Sequence, residues 1–450
     1  MHNSNVKSQN DKPDIIAALA TPYGKSALAV IRVSGEGCIG FVQNFLKRPL
    51  EVGRLAVNTF IDGLFTERLM AVCYKAPRSY TGEDLVELYP HGNMTICDAI
   101  IKSLIDGGAR AAERGEFTKR AFLNGKLDLM QCEALADIID AQTKEQLDYG
   151  NKRFDGRFKA LGEVENLLNR ALSSVEAVLH YSDELEDGEI DQAVMTDVYG
   201  AIDIAISTLE PEIDGYAGGK IINDGFKIAI IGAPNVGKST LLNALTDSDR
   251  AIVTEIAGTT RDTVDGEYVY NDRKFVVTDT AGLHDETTDR VEIIGMERAK
   301  QAAKRADGVV FLVSGGENAP KIENVANYIV VKNKCDGLTD VGVEYKKCTA
   351  ADGKLEISAK NNINITALKQ KLYELCPRDF GAICNHRQYD CAVSCMNSLK
   401  AARIEKYKAG GLEIVAALLY EAYSAIEQLY GEQADEKVIA TVFERFCVGK

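Results

Sequence analysis

Five short stretches carry residue types and spacings that suit nucleotide chemistry. Gly232-Ala-Pro-Asn235-Val236-Gly237-Lys238-Ser239 follows the apolar run Phe226-Lys-Ile-Ala-Ile-Ile231, and the helix-like Thr240-Leu-Leu-Asn-Ala-Leu245 comes next. A strand feeding Gly-x-x-x-x-Gly-Lys-Ser and then a helix is the context of a phosphate-binding loop. Its backbone N–H groups wrap a triphosphate, the helix N-terminus faces the same anion, Lys238 neutralises the β- and γ-phosphates, and Ser239 offers a hydroxyl to Mg²⁺. Gly258-Thr259-Thr260-Arg261-Asp262 supplies Thr260 as a second Mg²⁺ ligand. Asp279-Thr280-Ala281-Gly282, after the strand-like Lys274–Thr278, puts a carboxylate near the metal's water and a glycine near the γ-phosphate. Asn333-Lys334-Cys335-Asp336 and Ser358-Ala359-Lys360 each follow an apolar run. The Asp336 carboxylate accepts from guanine's N1–H and 2-amino group, a donor pair that adenine lacks. Taken in this order, and met at strand ends, these stretches predict a GTP-binding domain.

The hydrolytic machinery is less plain. Leu283 stands where small switch GTPases carry a water-orienting glutamine. The charged neighbours His284, Asp285, Glu286 and Glu292 are the candidates to position water. No obvious arginine finger is present; Arg261 is a candidate, but it sits in a switch loop. A monovalent cation can carry that positive charge instead. Asn235 can offer it a side-chain oxygen, and carbonyls of Thr254-Glu255-Ile256-Ala257-Gly258-Thr259 can wrap it.

These stretches must be held by a larger scaffold. The chain has 450 residues, enough for two to four domains. A net charge of −15 argues against a broad basic nucleic-acid surface, so RNA contact is local or shared with a partner. No apolar stretch approaches the roughly 18 residues of a membrane span. Residues 1–14 are polar and lack the apolar core of a signal peptide. The 11 cysteines show no disulfide-framework spacing, which reads as a reducing cytoplasm. Cys376, Cys384, His386, Cys391 and Cys395 lie close in sequence, but no paired C-x-x-C knuckle appears, and Cys391 with Cys395 at i, i+4 reads as helix packing.

The expected fold class is α/β plus α. Residues 1–126 read as mixed α/β, with strands at Ile15–Leu19, Ala27–Val33, Met70–Tyr74 and Leu85–Tyr89 and a helix at Met94–Ile105. From 127 the period becomes helical. Leu127, Met130, Leu135 and Ile138 share a face, as do Leu161, Val164, Leu168, Leu172, Val175 and Leu179, and then Val194, Val198, Ile202, Ile206 and Leu209. Residues 127–220 therefore form the first part of an antiparallel bundle. Asp214-Gly-Tyr-Ala-Gly-Gly-Lys220 reads as a flexible hinge into a nucleotide-binding domain at 221–376. Helical patterning resumes in 377–450, at Leu412–Tyr420 and Val438–Phe446, so the nucleotide-binding domain is inserted into a discontinuous helical domain.

The whole chain resembles the MnmE (TrmE) family of tRNA-modification GTPases. The resemblance rests on Ala29-Val-Ile-Arg-Val-Ser-Gly35, Ser79-Tyr-Thr-Gly-Glu-Asp84, the run Gly115–Asp128, the inserted Ras-like P-loop (TRAFAC) domain and the closing Phe446-Cys-Val-Gly-Lys450. It implies an N-terminal domain that dimerises and binds a tetrahydrofolate derivative (the 5,10-methylene or 5-formyl form). It implies GTP, Mg²⁺ and K⁺ as ligands, G domains that dimerise across the nucleotides, and a homodimer joined in a heterotetramer by the FAD-dependent MnmG (GidA). Together these install an aminomethyl or carboxymethylaminomethyl group on C5 of the wobble uridine (U34) of certain tRNAs. By position, Asn235, Thr254, Ile256 and Thr259 resemble the K⁺ ligands, and Ser239 and Thr260 the Mg²⁺ ligands. Glu292 resembles the water-orienting glutamate. Arg32, Glu87, Lys126 and Lys450 resemble folate contacts, where a carboxylate suits a pterin edge and cations suit the glutamate tail. Cys447 resembles a cysteine tied to the modification chemistry. The chain departs from the family at Ala233 and His284, where arginine is frequent, and at Pro90-His-Gly-Asn93, where the segment is usually richer in glycine. The Asp285–Arg290 stretch is one residue longer than usual, which bears on the alignment of Glu292. The rival reading is a regulatory GTPase of ribosome assembly without modification chemistry, which would need neither the folate-like domain nor the Phe-Cys-Val-Gly-Lys tail.

Overall fold

The computed structural model describes residues 14–63, 65–156, 160–181, 192–246, 266–279, 301–314, 327–337, 354–405 and 412–450. Two compact units result, residues 1–136 with 427–450 and residues 137–426. Among the described residues no helix is long and apolar enough to cross a membrane.

The first unit is built on a six-stranded sheet. Its strands are β1 (Ile16–Leu19), β3 (Ile31–Ser34), β4 (Ala56–Asp62), β5 (Phe65–Tyr74), β6 (Leu85–Tyr89) and β8 (Arg110–Ala111), in the order β4-β5-β6-β3-β1-β8. β2 (Ser26–Leu28) and β7 (His91–Gly92) pair apart from it. The expected strand Ala27–Val33 is thus two strands. Its first half leaves the sheet to meet His91 and Gly92, and the Ala29 N–H donates to the Pro90 carbonyl at the break. Strand alternation sorts the sheet's residues. Ile31, Val33, Leu69, Ala71, Val86 and Leu88 enter one core with Ile100 and Leu104 of the helix Met94–Asp106. Arg32 and Glu87 fall on the opposite face, directly across from each other in the β3–β6 register. The last helix, Glu436–Glu444, packs Val442 and Phe443 on Leu129 and Cys132, and a backbone bridge joins Val448 to Arg114.

An ion network in this unit draws on three of the sequence signatures. Arg120, only 9% exposed, donates to the Asp14 carboxylate at 2.7 Å, Glu83 at 3.0 Å and Glu116 at 3.1 Å. Arg110 binds Glu116 and Asp14 as well, and Ser34 donates to Glu83. Burial alone would raise the Glu116 carboxyl, but hydrogen bonds from Arg110, the Glu113 N–H and Arg120 outweigh it and hold the group below its ordinary value.

The second unit holds a sheet of β9 (Phe226–Gly232), β10 (Gly266–Tyr270), β11 (Arg273–Asp279), β12 (Gly308–Ser314), β13 (Tyr328–Asn333) and β14 (Leu355–Glu356). The order is β10-β11-β9-β12-β13-β14, parallel except for β10. Near-continuous apolar strands such as Phe226–Ile231 and Gly308–Val313 are what a parallel sheet covered on both faces requires. Helices Ala160–Tyr181, Gln192–Asp214, His386–Glu405 and Leu412–Tyr430 supply the helical part. The apolar stripe from Leu161 to Val175 and that from Val198 to Leu209 are buried as the spacing predicts.

The expected hinge at 214–220 is a correction. Tyr216–Asp224 is a helix, packed against the returning segment 377–385. A Cβ on Gly218 would lie 2.1 Å from the Asp379 carbonyl oxygen, and one on Gly219 would lie 2.5 Å from that of Ile383. These glycines permit close approach rather than motion. The Tyr149 hydroxyl donates to the Gly381 carbonyl at 2.8 Å, and the Ala382 N–H donates to Glu212, which fixes the same segment from two other helices.

Two predictions follow from this packing. Gly218→Ala should cost about 1–3 kcal/mol in urea unfolding through overpacking. A flexible linker would instead gain roughly 0.4–1 kcal/mol from the same change. Because the Glu116 carboxyl is held low in the fold, its contribution is complete above its ordinary value of 4.5 and fades as the pH falls below that. The urea midpoint should therefore drop more steeply below pH 4.5 in the native chain than in Glu116→Gln; parallel curves would contradict this.

Candidate functional site

The phosphate loop leaves β9 at the centre of the parallel sheet, between β11 and β12. Asn235 (φ 59) and Gly237 (φ 102) flank Val236 with left-handed backbone, which turns successive N–H groups toward one concave side. Gly237 is required twice over, since a Cβ there would also lie 2.4 Å from the Asn333 amide nitrogen. The helix Lys238–Thr246 begins at the loop's end, so the positive end of its dipole faces the same space. Lys238 Nζ donates back to the carbonyls of Gly232 at 3.1 Å and Ala233 at 3.0 Å, so its charge lies over the loop. Ser239 and Thr240 lie exposed in the first helical turn. A hard hydroxyl next to a lysine at a helix N-terminus is a donor set that fits Mg²⁺ beside phosphate.

The base side is assembled at the ends of β13 and β14. Asn333, 4% exposed, donates from its amide nitrogen to the Val236 carbonyl at 2.9 Å and accepts the Ala359 N–H at 3.0 Å. Lys334 takes a left-handed backbone (φ 65) and donates to the Asn235 carbonyl at 2.8 Å. Asp336 is exposed, and its carboxylate accepts from the Ser358 hydroxyl at 2.6 Å. Lys360 is exposed beyond the buried Ser358 and Ala359. Asn235, Val236, Asn333, Lys334, Asp336, Ser358 and Ala359 thus form one connected group. The β11 backbone reaches the same edge, with Asp279 registered on Ile230. Thr254 to Thr260, Thr280, Ala281, Gly282 and Glu292 lie outside the described residues.

In the first unit, Arg32 Nε donates to Glu87 at 2.8 Å, its Nη1 donates to the Gly449 carbonyl at 3.4 Å, and its guanidinium lies 5.5 Å from the centre of the Tyr80 ring. The Tyr89 hydroxyl donates to the other Glu87 oxygen at 2.5 Å; burial first, then this bond, pushes that phenol well up. Both carboxylate oxygens therefore already accept hydrogen bonds, so a pterin edge would share or displace them. The Arg32–Gly449 bond places the backbone of Lys450 beside Arg32, whereas Lys126 reaches the Pro77 carbonyl at 3.2 Å, on the loop that carries Tyr80. Cys447 is exposed, and its carbonyl accepts the Gly115 N–H at 3.4 Å. The structure brings Arg32, Glu87 and the Gly449 carbonyl together, while Lys126 bonds to the loop that carries Tyr80.

Sequence reasoning missed Tyr80 and Tyr89, which flank the Arg32–Glu87 pair. The signals were present, since Tyr80 lies inside Ser79–Asp84 and Tyr89 is two residues from Glu87, on the same strand face. It also left Glu116 and Arg120 without a role inside the Gly115–Asp128 signature, and their role is the ion network.

Residues 15–126 match the family described as GTP-binding protein TrmE N-terminus, and residues 129–447 match the MnmE helical domain. A tRNA modification GTPase MnmE of Pseudothermotoga lettingae is 36% identical, with 97% of this chain and 100% of that protein aligned. Proteins of the same description from Thermotoga maritima and Aquifex aeolicus are each 34% identical over 97% of this chain, covering 100% and 99% of their own lengths. The chain belongs to the MnmE family of tRNA-modification GTPases.

Proposed function

We propose that this protein is a K⁺-stimulated GTP hydrolase whose nucleotide cycle drives modification of the wobble uridine of tRNA. The observation that carries the reading is the Asn333 amide, which ties the phosphate loop to the Ser358–Lys360 loop and leaves Asp336 at the edge of the space between them. A loop that cradles phosphates and a carboxylate that reads a base edge are both needed to select GTP, and here one side chain spaces them.

In this reading the N–H groups of the phosphate loop and Lys238 hold the β- and γ-phosphates, and Asp336 selects guanine. Mg²⁺ and K⁺, when bound, add positive charge where the leaving phosphate develops its negative charge. Ser239 and Thr260 are the proposed Mg²⁺ ligands; Asn235, Thr254, Ile256 and Thr259 are the proposed K⁺ ligands. Glu292 orients water in place of the glutamine that Leu283 cannot supply. In the N-terminal unit, Arg32, Glu87, Lys126 and Lys450 are proposed to hold a folate carrying the one-carbon unit, with Cys447 near the chemistry. The bidentate capacity of Glu87 and the closeness of Arg32 to the C-terminal backbone support that assignment. We assign residues 1–126 to folate binding and dimerisation, 127–220 and 377–450 to the helical domain, and 221–376 to the inserted G domain. A flavin-bearing partner of the MnmG type, a heterotetramer with it, and a cytoplasmic setting complete the proposal.

Glu292→Ala should leave GTP binding intact and reduce turnover by about 10²- to 10⁴-fold. Replacing Na⁺ with K⁺ should raise the rate of the native protein, and equal rates in both salts would remove the cation from the mechanism. A strain lacking this chain should lose the modified wobble nucleoside. The intact gene should restore it, while a version without Lys450 should hydrolyse GTP normally and fail to restore it. Restoration by the shortened version would remove the C-terminus from the folate site.

A further inference from the structure

The hairpin of β10 and β11 has one end at the nucleotide site and the other on the helical part of the same unit. Its turn is Asn271-Asp272, both left-handed (φ 48 and 64), which matches the twist of a tight two-residue hairpin. At that turn the Asp272 carboxylate accepts the N–H of Lys144 at 2.9 Å. Lys144 opens the helix Lys144–Phe154, which Thr143 and Gln146 also close with a capping box. The acceptor is thus a carboxylate from outside the helix, placed where the helix dipole favours negative charge.

Arg273 follows immediately and is 7% exposed. It holds the Glu145 carboxylate in a fork, with Nε to Oε2 at 2.9 Å and Nη2 to Oε1. Its Nη1 donates to the Pro377 carbonyl at 3.0 Å, and the guanidinium lies 5.7 Å from the Tyr373 ring centre. One side chain therefore joins the hairpin, the helix Lys144–Phe154, the helix Ile365–Glu374 and the start of the returning segment. From Arg273 the strand runs through the fully buried Phe275 and Val277 to Asp279, the first residue of the Asp-x-x-Gly motif. Six peptide steps of extended chain span about 20 Å with no loop between the two ends. A close-packed strand passes a displacement on rather than absorbing it.

Room for that displacement exists at the far end. A cavity of about 280 Å³ opens between the hairpin turn and the helix, lined among others by Glu145, Tyr149, Lys152, Asp272 and Phe380. The Glu145 side chain is 28% exposed, so on release it would meet water at modest cost, whereas Arg273 would have to find new acceptors.

We propose that the Asp272–Lys144 and Arg273–Glu145 contacts are a clasp that carries the nucleotide state from Asp279 to the helix Lys144–Phe154. The relay rests on the GTPase reading only for the identity of the ligand that drives it.

Hydrogen–deuterium exchange on the full-length chain, with GDP and with a non-hydrolysable GTP analogue, tests the clasp. Binding of both nucleotides is measured separately by calorimetry. Amides of 144–154 should differ between the two states by about fivefold or more, the lower end of ordinary allosteric coupling. Arg273→Met and Glu145→Gln should each bind both nucleotides and lose that difference, and Arg273→Lys should recover part of it. Glu145→Gln carries the test if Arg273→Met fails to fold. Binding without a difference in 144–154 would overturn the relay and leave the GTPase reading standing. A difference that persists in Glu145→Gln would overturn the clasp. Failure of either nucleotide to bind would overturn the GTPase reading, and the relay with it.

Discussion

The buried amide of Asn333 is the constraint on which the nucleotide site depends. It satisfies a carbonyl of the phosphate loop on one side and an N–H of the Ser358–Lys360 loop on the other. A neutral amide has a donor and an acceptor on separate atoms, so this one side chain can serve a carbonyl on one backbone and an N–H on another. In a site with little water such bonds are strong, and leaving either one unmade is costly. The parallel order of β9, β12 and β13 brings the loops to one edge, and the amide then sets their spacing.

The second constraint is the joint between the sheet and the bundle. Chain crosses between them twice, at 214–225 and at 377–385, and the two crossings lie against each other with glycine as the spacer. Contacts this close leave no slack for a swinging linker. Any nucleotide-dependent motion passing through this joint must be carried by packed elements, which is why the hairpin beside it matters more than the glycines themselves. The departure from the hinge reading thus changes the mechanism from loose tethering to mechanical contact.

What the chain announced beforehand was what chemistry demands of consecutive residues. Phosphate loops and base-reading motifs need fixed spacings, and long helices need a repeating apolar face, so Gly232–Ser239, Asn333–Asp336 and the Leu161–Val175 stripe were legible. β4 and the first half of β5 were not, because Val57 and Ile61 face outward while Asn58 and Glu67 are buried, which blurs the alternation of a half-buried strand. The glycines at 215–219 were misread because composition alone cannot distinguish freedom from close contact. Arg120 lay inside a recognised signature, yet its partners Asp14 and Glu83 are distant in sequence and could be found only in space.

The account as a whole turns on Asp336 reading a guanine that the Asn333 amide has put within its reach. The most direct measurement is the affinity of native protein and Asp336→Asn for GDP and for xanthosine diphosphate, whose 2-oxo group replaces the 2-amino donor with an acceptor. The account predicts that the native chain prefers GDP by orders of magnitude and that the substitution reverses the order, because an amide can donate to the 2-oxo group while still accepting the N1–H. An unchanged preference for GDP in Asp336→Asn would contradict it.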